Sequence, residues 1–73
     1  MHTESEIQFE GVLALTKLPD EALLNHQSIT VPAAITDERD GLLYIYGVTF
    51  KRVENELHPI GWEYQSFDML LAS

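Results

Sequence analysis

The chain is 73 residues long, 45% hydrophobic, and carries 12 carboxylates against four basic side chains, a formal net charge of −8. Without cysteine it has no disulfide, no thiolate chemistry and no thiol-rich metal site. With Lys17, Arg39, Lys51 and Arg52 as its only Lys and Arg residues, it lacks the clustered positive charge that direct nucleic-acid binding requires.

The length predicts one small acidic α+β domain, an antiparallel sheet of three to four strands with one or two short helices, whose core supplies only about 3–5 kcal/mol. The start, Met1-His2-Thr3-Glu4-Ser5-Glu6, has neither the basic opening nor the apolar run of an export signal. The longest apolar run, Leu42 to Val48, is far short of the roughly 20 residues that span a bilayer. A soluble, cytoplasmic protein with no membrane partner is expected.

From Glu6 to Leu18, Ile7, Phe9, Gly11, Leu13 and Leu15 alternate with Gln8, Glu10 and Thr16 as a strand would. A helix would scatter Phe9, Val12, Leu13 and Leu15 around its circumference, so a strand is expected. Thr3 with Glu6 is the competing signal, because it matches a helix capping box. Pro19 to Asn25 predicts a short helix, with proline in its first turn and Asp20 and Glu21 at the positive end of the dipole. Ser28 to Ile35 is β-rich, and Asp37-Glu38-Arg39-Asp40-Gly41 follows as a turn with Gly41 placed for a left-handed conformation.

Leu42 to Val53 is apolar on both faces and is expected in the middle of the sheet. Pro32 and Pro59 fall in the flanking segments, so these should be edge strands, start late, or turn proline's missing donor outward. A following turn centred on Asn55-Glu56 would place Leu43, Ile45, Val53, Ile60, Trp62 and Tyr64 on one side, the expected core. Tyr44, Tyr46 and Phe50 would lie on the other. Ser66 to Ala72 is expected to close the fold as a short helix.

Little chemistry is visible. No nucleophile pattern surrounds the serines, the three histidines lack paired spacing, and no glycine-rich phosphate loop is present. The run from Asp37 to Gly41 lacks the bidentate acid of a calcium loop, since Val48 stands twelve positions along. Neither catalysis, a metal nor a cofactor is expected. Ser28-Ile29-Thr30-Val31-Pro32-Ala33-Ala34-Ile35 resembles the strand-to-proline segment of the AbrB and MazE swapped-hairpin DNA-binding family, which includes acidic antitoxins. The match covers these eight residues, without that family's basic residues, helix or following glycine spacing.

The expected role is a small acidic inhibitor or regulator, of the kind encoded by phages and mobile elements, that docks on a basic, nucleic-acid-handling protein and partly mimics nucleic acid. Two acidic poles are its candidate surfaces: Glu54, Glu56 and Glu63, the favoured one, and Asp37, Glu38 and Asp40 at the opposite end. The alternative is an antitoxin-like or regulatory subunit that associates through an apolar aromatic face carrying Tyr44 and Tyr46. Weak homodimerisation is also expected, because one or two short helices cannot cover two apolar sheet faces.

Overall fold

Thr3 decides the fate of the first segment. In the computed structural model, which describes residues 2–69, its hydroxyl accepts from the Glu6 amide at 3.2 Å, and the Glu6 carboxylate accepts from the Thr3 amide at 3.4 Å. This reciprocal cap starts helix α1, Glu4–Thr16, where the alternation of apolar residues had predicted a strand. Capping satisfies two otherwise orphaned donors, and Ile7, Gly11, Ala14, Leu15 and Leu18 supply a continuous apolar stripe against the sheet. Of the residues that a helix was expected to scatter, Phe9, Val12 and Leu13 instead share its outer face and are exposed, and Leu15 packs on the core.

After Pro19, Asp20–Leu24 forms α2, a single short helix that stops at Asn25. Three strands follow: β1, Ser28–Asp37; β2, Leu42–Val53; and β3, Glu56–Met69. They form one antiparallel meander in the order β1-β2-β3, with β2 central. This is a small α+β fold. The segment with the AbrB-like pattern is most of an edge strand. Ser66–Met69 continues β3 rather than starting a helix; the rest of that expected helix, residues 70–72, lies outside the described residues.

Both edge strands carry a proline, and both turn its missing donor away from the sheet. The Arg52 amide donates to the Gln27 carbonyl at 2.7 Å, so alternate residues of β2 from Arg52 back to Leu42 bond to β1, and those between bond to β3. Pro32 opposes Gly47, and Pro59 opposes Phe50. Each therefore sits at a position whose backbone nitrogen points outward, where no ladder bond is lost.

The second turn differs from expectation by one residue. Its centre is Glu54-Asn55, with Val53 paired to Glu56. Glu54 takes φ 60°, a position where glycine is preferred in a two-residue hairpin. The pairing then slips twice, between Thr49 and Phe50 and between Ile45 and Tyr46. Each slip is a bulge that leaves one β3 residue unpaired, Ile60 and then Gln65. Trp62 consequently opposes Val48, and Tyr64 opposes Tyr46. The face assignment reverses: the core is Ile7, Val31, Ala33, Ile35, Tyr46, Val48 and Phe50. Ile60, Val53, Trp62 and Tyr64, expected inside, are exposed.

Candidate protein-interaction surface

α1 packs mainly on β1 and runs in the same direction as β2. His2, just before the helix, packs edge-on to Tyr44 and Tyr46 at 4.9 and 5.8 Å. Gly11 sits against Val48, and Leu15 meets Arg52 and Leu57 in one groove. The helix N-terminus therefore rests beside the β1–β2 hairpin tip. Its first-turn acids Glu4 and Glu6 join Asp37, Glu38 and Asp40 there, and Asp68 arrives opposite Leu43 on β3.

Charge is thereby polarised along the 41 Å long axis. At the tip end, Glu4, Glu6, Asp37, Glu38, Asp40 and Asp68 are six carboxylates against Arg39 alone, a net of −5. At the end of the β2–β3 turn, Asp20, Glu21, Glu54 and Glu56 are four carboxylates against Lys17, Lys51 and Arg52, a net of −1. Glu10 and Glu63 lie between, which accounts for the total of −8. Sequence spacing located both ends, but it missed Glu4, Glu6 and Asp68. The Thr3–Glu6 capping box was the signal that could have placed the first two.

The tip acids are not equivalent. One Asp37 oxygen accepts from the Arg39 amide at 3.0 Å and from its guanidinium at 3.3 Å. Its carboxyl is held below the usual range, first by the backbone donor and then by the guanidinium. Asp40 accepts from the Leu42 amide at 3.0 Å and from the Tyr44 hydroxyl. These two residues build the hairpin, together with Gly41 at φ 68°. Glu38 is exposed, with no hydrogen bond or ion pair among the described residues.

The favoured trio comes apart. Glu54 and Glu56 occupy the β2–β3 turn, and Glu56 pairs at 3.3 Å with His58 when that imidazole is charged. Glu63 stands opposite Gly47 in the middle of the sheet. Nor do Tyr44 and Tyr46 form one exposed patch. Tyr46 is buried in the core with its hydroxyl 2.9 Å from His2 Nδ1, which takes it out of a surface role, and Tyr44 is half-buried against His2 and Asp40.

Exposed aromatic surface lies instead on β3. α1 covers β1 and β2, so the same face of β3 is left open, with Trp62 at 42%, Tyr64 at 49% and Phe67 at 59% exposure. The rings of Trp62 and Tyr64 each meet Tyr46 edge-on at 5.7 Å, which fixes them from below. Phe67 went unrecognised as a surface residue because residues 66–72 read as a helix.

Two open grooves flank α1, of about 440 and 490 Å³. The first is lined mainly by Leu15, Leu23, Leu24 and Leu57, the second by Leu13, Leu18, Val31 and Pro32. Thr16 borders both, its hydroxyl donating to the Leu13 carbonyl at 2.7 Å. Among the described residues, no helix is long and apolar enough to cross a membrane, and no three metal-ligating side chains converge. No protein-family model matches the chain, and no significant match to a curated protein or a solved structure was found.

Proposed function

We propose that this chain is a non-catalytic, cytoplasmic acidic inhibitor or regulator of the phage or mobile-element type, which docks through its hairpin-tip pole on a basic protein that handles nucleic acid. The supporting observation is the charge asymmetry: six carboxylates gather at one end of the molecule with a single guanidinium among them. Such a pole steers a basic partner by a field that salt screens over about 10 Å at 0.1 M. Twelve carboxylates spread over both ends and the middle cannot imitate one continuous phosphate strand. Mimicry is therefore local, confined to the tip.

The test uses the immobilised protein and lysate of its native host. A basic partner should be retained at low salt, released at high salt and displaced by duplex DNA. Glu38→Lys with Asp68→Lys should lower retention by about tenfold, while Glu54→Lys with Glu56→Lys leaves it nearly unchanged. The opposite ranking would move the site to the turn end, and salt-insensitive retention would remove the electrostatic reading. A second reading, a regulatory or antitoxin-like subunit that docks by apolar contact, is favoured by the open aromatic strip on β3, and salt-insensitive retention is its signature.

A further inference from the structure

We infer that two copies of this chain associate edge to edge through β3, antiparallel, about a two-fold axis perpendicular to the sheet near Trp62–Tyr64. Three features carry the inference. The first is the edge itself. By the alternation along β2, the residues of β3 beyond Pro59 whose backbone groups point outward are Trp62, Tyr64, Phe67 and Met69; the first three each have a donor to offer, while the Met69 amide donates to the Asp68 carboxylate at 2.8 Å. On the opposite edge, Pro32 removes the donor from the middle of β1. Between Ile60 and Phe67 the only charge is Glu63, and it lies on the face away from α1.

The second feature is area. The exposed parts of Trp62, Tyr64 and Phe67 amount to about 300 Å², taking 150–250 Å² for each ring. A stable interface needs about 800 Å² per partner. The strip and the strand edge together fall near or below that value, which gives a dimer that dissociates on dilution. The bulge at Gln65 shortens the ladder and acts in the same direction.

The third feature is charge. A parallel arrangement would set the two −5 poles side by side. The antiparallel one sets each against the partner's −1 end, where Lys17, Lys51 and Arg52 stand. The same two-fold keeps both α1 helices on one face, so Trp62 and Tyr64 of each copy pack together between them. Two chains of charge −8 still repel at long range, so added salt strengthens this association while it weakens the docking proposed above.

Sedimentation of the native chain from micromolar to millimolar concentration should show a mass rising from 8.3 kDa toward twice that value, and rising further with salt. Phe67→Lys, at an exposed edge position, should hold the protein monomeric with an unchanged circular dichroism spectrum. In this cysteine-free chain, single variants Glu63→Cys and Tyr64→Cys place a thiol at the axis, and oxidation of at least one should yield a covalent dimer. Phe9→Cys, on the outer side of α1, should not. A monomer at every concentration overturns the inference. So does a dimer indifferent to Phe67→Lys, or one that cross-links through Phe9→Cys alone.

Discussion

Tyr44 shows how a tip carboxylate acts on its neighbours. Its hydroxyl donates to Asp40, and this bond, aided by burial and by the charges of Asp40 and Asp37, pushes the phenol up to about 12. The ordinary value is about 10. The fold therefore favours the neutral phenol, and its contribution to stability is full below pH 10 and lost as pH rises from 10 to 12. Asp40→Asn keeps the acceptor for the Leu42 amide but removes the charge. In a spectrophotometric tyrosine titration, that variant should move one transition back toward 10. An unchanged titration would mean that Asp40 does not hold Tyr44.

Among the elements, α1 depends most on a single position. A methyl group at Gly11 would lie 2.9 Å from Cβ, Cγ1 and Cγ2 of Val48, which is fully buried and has no room to yield. Alanine gains about 1 kcal/mol of helix propensity over glycine, whereas overpacking a tight core costs about 1–3 kcal/mol. Gly11→Ala should therefore lower stability in urea melts by up to about 2 kcal/mol. In a Val48→Ala background the approach to Cγ1 and Cγ2 is gone but that to Cβ stays, so the same change should cost less there without becoming stabilising. Gly47 is different: there a methyl meets the amide end of Gln65, a flexible side chain that can swing away.

The elements also show what could be read from the sequence. The range of β2 was legible to the residue, because Leu42 to Val53 is apolar on both faces between two turn signals. α2 and the Gly41 turn were legible from proline, acids and glycine. α1 was misread because its outer side is apolar too, which blurs the helical period, and the local capping box outweighed that pattern. The core face was misread because side-chain direction follows strand parity, and parity changes with every residue of slip. Two bulges carry β3 from its true start at Val53–Glu56 into the register that the Asn55-Glu56 turn predicts, but only from Ile45–Ser66 onward. No local composition marks Ile60 or Gln65 as the extra residue. The acidic poles were legible as ends of hairpins; the membership of each was not, because it depends on the direction of α1 and on those bulges.

For the whole molecule, the outward-facing nitrogen of Pro32 governs how many copies an assembly holds. A sheet with two competent edges adds subunits without limit, since each new copy brings a fresh edge. Here pairing through β3 leaves only β1 strands at the two outer margins, and each is interrupted at its centre by a residue with no hydrogen to donate. Growth stops at two, and the same interruption keeps a concentrated solution from forming fibres. Pro32→Thr restores the donor without touching the β1–β2 ladder. It should convert the reversible dimer into larger assemblies, seen as sedimenting species beyond the dimer and as thioflavin binding. If Pro32→Thr stops at the dimer as the native chain does, termination lies elsewhere than at this nitrogen.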